Sequence, residues 1–386
     1  MLPLVTASEM KEIDKKATEA FGIPSLNLME NAGKGLAEAI LKYYPASKRI
    51  AVLCGKGNNG GDGLVAARYL SETASVAVFL LCNKNEISED AKANLDNFKG
   101  KLFEVTGEEG LKKAISGAAK ADIIIDAIFG TGLKSAVSGL VKDAIEGINS
   151  LNKKVVSADI PSGINSDTGQ VMGVAVRADL TGTFGIPKAG LYLFPGHEYA
   201  GRIEVINIGL PEALISGEKI KTSIIEQGDT GSLFPKRKLD THKGSYGRLL
   251  VIAGSRGKTG AAAMAAVSAM RTGAGVVTLA VPKNLQPIYE MKLTEVMIEP
   301  LSEGEKWSIG ENALGEIIKL AEDKSALVLG PGISPTQAAI KVMAGLIETI
   351  TQPVVIDAGG IDAVAANPDI LKNAKGPRII TPHPGE

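Results

Sequence analysis

The chain has 386 residues, of which 45% are hydrophobic, 22% charged and 4% aromatic, with 45 glycines; this exceeds what one hydrophobic core usually organises and favours two domains. Its 42 basic and 43 acidic residues leave a formal charge of −1. That balance excludes a global field drawing the protein to nucleic acid or an anionic membrane, so any anionic ligand must be held locally.

The N-terminus, MLPLVTASEMKEIDKK, turns charged early and has no cleavage-site pattern, which argues against a signal peptide and for a cytoplasmic protein. Residues 8–42 carry apolar positions at helical spacing in two pieces broken by FGIP, predicting two helices before the first strand. Short β-rich runs then alternate with helical ones: RIAVLC, GLVAARYLSE, SVAVFLLC, a polar helix near 88–98, KLFEV, EEGLKKAISGA, ADIIIDAIF, an amphipathic stretch near 136–150, and KVVSAD. This alternation predicts an α/β fold, a doubly wound Rossmann-like parallel sheet. ADLTGTFG and RIEVINIGLP read as closing strands at one edge. Cys54 and Cys82, the only cysteines, end two of the strand-like runs; they read as small buried hydrophobes, with a catalytic thiol as the minor alternative.

The periodicity lapses over 216–238 and restarts at RLLVIAG, continuing with a small-residue helix, VVTLAVP, ALVLGPG, PVVIDAGG and PRIITPHPGE. The expected organisation is a first domain over 1–215, a linker over 216–238 and a second α/β domain over 239–386. The second series stops on a strand and a loop without a covering helix, so an incomplete domain is expected.

In an open parallel sheet the ligand crevice lies outside the carboxyl ends of the strands. Three loops fall there: GKGNNGGDG, GTGLKS and IPSG. Asp126, inside IIIDAIF, is surrounded by residues apolar enough to demand a partner: a lysine, a metal ion or a raised pKa. Its oxygen-rich neighbours suit a hard ion, and the plainer reading is a capping carboxylate. Asp159 ends VVSAD before Ile160 and Pro161, a position suited either to a general acid or base or to a simple Asx turn. Gly55, Gly57 and Gly60 have the G-x-G-x-x-G spacing of a dinucleotide turn, but Cys82 and Asn83 stand where the ribose-binding acid belongs, and Asn58, Asn59 and Asp62 would crowd a pyrophosphate. Gly257, Lys258 and Thr259 lack the first glycine of a P-loop, since position 252 is Ile. His242 and His383 read as surface hydrogen-bonders and His197 as structural.

NNGGDG, DAIFGTGL and DIPSGI, in that order, resemble the epimerase domain of NAD(P)H-hydrate repair proteins. HKGSYGRLLVIAGS, TGAG, LGPG and TPHPGE resemble the first part of the ADP- or ATP-dependent NAD(P)H-hydrate dehydratase, whose fold is ribokinase-like. The resemblance implies a bifunctional enzyme. Its first domain would interconvert the R and S forms of NADH or NADPH hydrated at C6 of the nicotinamide ring, and its complete second domain would dehydrate the S form with ADP or ATP and Mg2+. It further implies that Asn58, Asn59, Gly60, Gly61 and Asp62, with Gly130, Thr131, Gly132, Leu133, Lys134, Ser135 and Ala136, contact the substrate. Asp159 would lie beside the ring as acid or base, and Asn59, Asp126 and Ser162 would hold K+. In the second domain Ala261, Gly332 and His383 would line the hydrate site. Two departures stand out: Asp357, Ala358, Gly359, Gly360 replaces the family's D-A-D, and no G-x-G-D follows Gly332, so this stretch alone is not expected to dehydrate. The partner implied is the small-molecule substrate, with no nucleic acid or membrane, and the protein is expected to be a homo-oligomer. A non-catalytic binding module and a small-molecule kinase are the competing readings; the four polar residues Asn59, Asp62, Asp126 and Asp159 favour catalysis.

Overall fold

A computed structural model describes all residues except Lys219, Pro235 and Pro384; the first two fall in the expected linker and the third in TPHPGE. The chain divides into two compact units, Met1–Pro235 and Lys236–Glu386.

The first unit runs β1 (Leu2–Leu4), α1 (Ala7–Glu19), α2 (Ser25–Tyr43), β2 (Arg49–Cys54), α3 (Asn58–Leu70), β3 (Ser75–Leu80), α4 (Glu89–Asn97), β4 (Lys101–Glu104), α5 (Glu108–Ala119), β5 (Ile123–Ala127), α6 (Gly139–Ser150), β6 (Lys154–Ala158), β7 (Leu180–Phe184), α7 (Gly196–Ala200), β8 (Arg202–Ile206), α8 (Glu212–Gly217), β9 (Thr222–Ile224) and α9 (Gln227–Thr230). Seven strands pair in the order β4-β3-β2-β5-β6-β7-β8, every pair parallel. The central strands are apolar on both faces because helices cover both: every residue of β5 is buried. One core layer gathers Leu36, Ile40, Leu64 and Val156, the other Leu53, Ile124, Ala144 and Ile148. The order reverses between β2 and β5, so the crevice expected of a doubly wound sheet opens beyond their carboxyl ends.

β1 pairs antiparallel with β9 in a separate two-stranded sheet. Part of the segment read as a linker is thus an ordered strand of the first unit. β1 and β9 are three residues long and stand outside the strand-helix alternation that marks the equally short β14 and β15, which is why the sequence pattern misses them.

The second unit runs β10 (Arg248–Ile252), α10 (Thr259–Thr272), β11 (Val276–Pro282), α11 (Gln286–Lys292), β12 (Met297–Leu301), α12 (Ala313–Ala321), β13 (Ala326–Leu329), α13 (Gln337–Thr349), β14 (Val354–Ile356), α14 (Gly359–Ala366) and β15 (Arg378–Ile380). Its sheet is parallel, in the order β12-β11-β10-β13-β14-β15. The switch lies between β10 and β13. β12, MIEPL, was not anticipated: it is an edge strand, the position where a proline such as Pro300 is tolerated. No helix among the described residues is long and apolar enough to cross a membrane.

Candidate active site

NNGGDG is the first turn and a half of α3, not a loop. Gly57 is the N-cap and has no side chain to satisfy the first N–H groups, so the positive end of the helix is left open toward the crevice. The glycines on either side serve close approach. A Cβ on Gly55 would sit 2.0 Å from Ile128 O, and one on Gly60 2.0 Å from Gly55 O, whereas nothing lies within 4 Å of a Cβ on Gly57. Gly61 and Gly63 press α3 against Met29 and Ala127.

The crevice is a cavity of about 1030 Å³ at this switch point, walled by α1, α2, the start of α3 and the loops after β5, β6 and β7. Of the residues expected there, Asn58, Asn59, Asp62, Gly130, Thr131, Gly132, Leu133, Lys134 and Asp159 line it. Gly60 and Gly61 are packing positions behind that wall. Ser135 and Ala136 lie beyond the lining, where the loop turns to bond Val137 N to Met172 O at 2.8 Å. Asn58 sits at the rim, its Oδ1 accepting from Ser88 Oγ at 2.9 Å.

Asp126 and Ser162 are fully buried and lie behind the cavity wall, outside its lining. Asp126 Oδ1 accepts from Ser162 Oγ at 2.5 Å and Ile128 N at 3.3 Å, and Oδ2 from Ser157 Oγ and Ser162 N at 2.8 Å each. No lysine reaches it among the described residues; hydroxyl and amide donors supply the partner the sequence demanded. Burial raises its pKa, and the Ser162 hydroxyl and amide, Ser157 and Ile128 oppose the rise. Ser162 Oγ also accepts from Phe129 N at 2.8 Å, tying the β5 and β6 loops. In the cavity wall Asn59 is 8% exposed, and among the described residues neither its Oδ1 nor its Nδ2 has a hydrogen-bond partner. A buried amide with both ends unbonded is costly, so a ligand is the expected remedy.

Asp159 has φ +64, in the left-handed region where Asp is among the tolerated residues. Its Oδ1 accepts from Lys188 Nζ at 2.5 Å, Phe184 N at 3.1 Å and Thr183 Oγ1 at 3.4 Å. Lys188 is 1% exposed and also donates to Phe184 O at 2.8 Å. The pair faces the cavity. Sequence reasoning missed Lys188; its place in FGIPKAG, just beyond a strand end on the crevice side, was the available signal. Asp62, also in the wall, has its pKa pushed well up by burial and then by the Asp159 charge. Asp14 of α1 was missed as well, and burial pushes it up to about 6 against the pull of Lys188. Cys54 and Cys82 are buried and unbridged, with burial raising both thiols, so neither reads as a nucleophile.

In the second unit the loops after β10, β13 and β14 meet at the switch point. Gly254 N bonds Pro331 O at 2.9 Å, and Ser255 Oγ donates to Gly332 O at 2.7 Å. Gly332, at φ +70, approaches so closely that a Cβ would lie 3.4 Å from Ala261 Cβ and 2.5 Å from Lys258 O. Ala261 and Gly332 are therefore neighbours. His383 is exposed, and its ring accepts from Gly385 N at 3.1 Å. The loop carrying it is anchored nearby, where Thr381 Oγ1 donates to Asp357 Oδ1 at 2.8 Å. His242 likewise accepts from Gly244 N at 3.1 Å, and His197 bonds Leu191 O at 3.1 Å and stacks on Tyr192.

Residues 25–190 match the family model described as YjeF-related protein N-terminus, and residues 249–386 match that of NAD(P)H-hydrate dehydratase. The bifunctional NAD(P)H-hydrate repair enzyme Nnr of Moorella thermoacetica is 40% identical over 99% of this chain and 74% of its own length. The Thermofilum pendens protein of the same name is 37% identical over 100% and 73%, and that of Escherichia coli 30% over 98% and 70%. Among solved structures, yeast ynu0 aligns at 28% identity and TM-score 0.45 over 50% of this chain and 84% of its own. The Bacillus subtilis ADP/ATP-dependent NAD(P)H-hydrate dehydratase, co-crystallised with ATP/Mg2+, aligns at 31% and 0.32 over 39% and 50%.

Proposed function

Because the chain belongs to the family of bifunctional NAD(P)H-hydrate repair enzymes, we propose that its first unit epimerises hydrated NADH or NADPH in the cavity beyond β2 and β5. The observation that carries this reading is the buried Asp159–Lys188 pair opening onto that cavity. The hydrated ring bears a hydroxyl and the ring nitrogen on the same carbon, so inversion requires no C–H cleavage. Asp159, held by the Lys188 ammonium, takes the hydroxyl proton. The C6–N bond then breaks to leave an aldehyde, while the ring nitrogen accepts a proton. Rotation of the aldehyde and reclosure from its other face give the opposite hydroxyl configuration with no net change in atoms or protons. The start of α3 and residues 130–134 form facing walls of the cavity, between which the rest of the dinucleotide would lie.

We read Asn59, Asp126 and Ser162 as the residues that would hold a potassium ion. The set has one carboxylate among neutral oxygens, which suits a monovalent hard ion, and the buried Asn59 Oδ1 is free to turn to it. Bound there, it would offset the Asp126 charge and fix the β5 loop against α3. We read the second unit, with Ala261 and Gly332 at its switch point and His383 as a further residue of the hydrate site, as the dehydratase portion. Its reaction on the S form would use ADP or ATP with Mg2+. The enzyme is further read as a cytoplasmic homo-oligomer; exposed Leu193 (48%) and Phe194 (67%) favour a self-contact.

The test is incubation with chemically prepared hydrated NADPH, following the R to S ratio by chromatography in K+ and in Na+, with and without ATP and Mg2+. Equilibration faster than the spontaneous rate supports the epimerase, and consumption of hydrate with recovery of NADPH supports the dehydratase. Equilibration no faster than without protein refutes the first assignment.

A further inference from the structure

From the geometry of α1 we infer that Asp14 is the second proton-transfer group of the first unit, donating to the ring nitrogen while Asp159 takes the hydroxyl proton. The inference rests on the epimerase reading above.

α1 is a well-made helix whose attachment does not need an acid at position 14. Thr6 and Glu9 form a capping box, Ala7 N bonds Asp167 Oδ1 at 2.6 Å, and Met10, Ile13 and Ala17 form the buried stripe. Asp14 stands beside that stripe and lines the cavity. Its Oδ1 is buried without a hydrogen-bond partner among the described residues. An unbonded carboxylate oxygen in such a place costs stability, and the packing returns nothing for it. The family-model match begins at residue 25, after α1 has ended. Neither the motifs nor the match assigns this residue a role.

The chemistry requires what Asp14 offers. Ring opening moves two protons at two different atoms, and Asp159 is engaged with Lys188 on the base side. The acid must be protonated yet able to release and regain its proton near neutrality. Three groups from other elements surround Asp14: Lys188 from the loop after β7, Asp159 from that after β6 and Asp62 from α3; Lys11 is its neighbour on α1, and Lys16 is tied away to Glu218 at 2.8 Å. Burial against the pull of Lys188 brings Asp14 to about 6, whereas burial and the Asp159 charge push Asp62 well above its ordinary value. A group near the working pH is the more effective acid.

The experiment measures kcat/KM for epimerisation against pH, spontaneous rate subtracted, for the full chain and its Asp14→Asn, Asp14→Glu and Asp62→Asn variants. The wild type should lose activity as pH rises through about 6. Asp14→Asn should lose on the order of 100-fold in kcat/KM together with that limb, and Asp14→Glu should restore both. Wild-type rate and profile in Asp14→Asn overturn the inference, as does loss of the limb in Asp62→Asn alone. A wild type that does not epimerise at all instead sinks the reading on which the inference rests.

Discussion

Replacing Asp159 tests the site's chemistry and its stability together. Asp159→Ala removes the acceptor of the Lys188, Phe184 N and Thr183 hydrogen bonds. It leaves an ammonium that is 1% exposed with Phe184 O, at 2.8 Å, as its remaining bond. Removing one partner of a buried pair costs about 3–5 kcal/mol. Alanine at φ +64 adds up to about 1 kcal/mol, because it lacks the short polar side chain that eases Asp into the left-handed region. The total, roughly 3–6 kcal/mol, is comparable to the whole stability of a modest domain. Asp159→Asn keeps an amide oxygen for Lys188 and tolerates the left-handed backbone, so its cost should be about 1–2 kcal/mol. Both variants should lose epimerisation, and hydrogen exchange in peptides covering β6 and β7 gives the opening free energies. Equal protection in Ala and Asn, or a loss below about 1 kcal/mol in Ala, would falsify the claim that this pair is buried and mutually dependent.

The glycine spacing makes a sharper contrast. Gly60→Ala should destabilise the first unit by at least about 2–3 kcal/mol, since its Cβ meets Gly55 O, while Gly57→Ala should change the urea midpoint little. Asp14 gives a pH prediction. Its folded carboxyl binds a proton more tightly, 3.8 rising to about 6, so the stability it confers is complete below pH 3.8 and is lost as pH rises through about 6. Asp14→Asn escapes that loss and should be the more stable form at pH 8, by about 1–2 kcal/mol after solvent screening of a ceiling near 3. A variant less stable than wild type at pH 8 contradicts this. For the Asn59, Asp126 and Ser162 set, K+ but not Na+ should raise the melting temperature of the first unit and lower KM. Asn59→Leu should remove the K+ effect while keeping the fold, and an unchanged response to K+ would rule out Asn59 as a ligand.

How much of this was readable from residues alone follows the range of the forces involved. The alternation of RIAVLC, GLVAARYLSE and SVAVFLLC reports local burial, and it placed both sheets and the three loops that meet at the first switch point. Three-residue β1 and β9 stand outside the strand-helix alternation, and Pro300 hid β12. Asp14 and Lys188 were missed for another reason. Each is an ordinary residue in its own segment, and what makes it chemical is a neighbour more than 100 positions away, Asp159 in the case of Asp14, or a depth of burial that only the assembled layers create. The glycine motif belongs to a third kind. Gly55 and Gly60 are required because the turn passes between the carbonyl of Ile128 and its own backbone, a demand that any strand-turn-helix entering a crevice makes whatever its ligand. The spacing therefore reports the backbone crossing. Asn59 and Asp62, which fill the space between glycines with buried polar groups, report the ligand, and a chain keeping the glycines but carrying apolar residues there should fold alike and bind neither K+ nor hydrate.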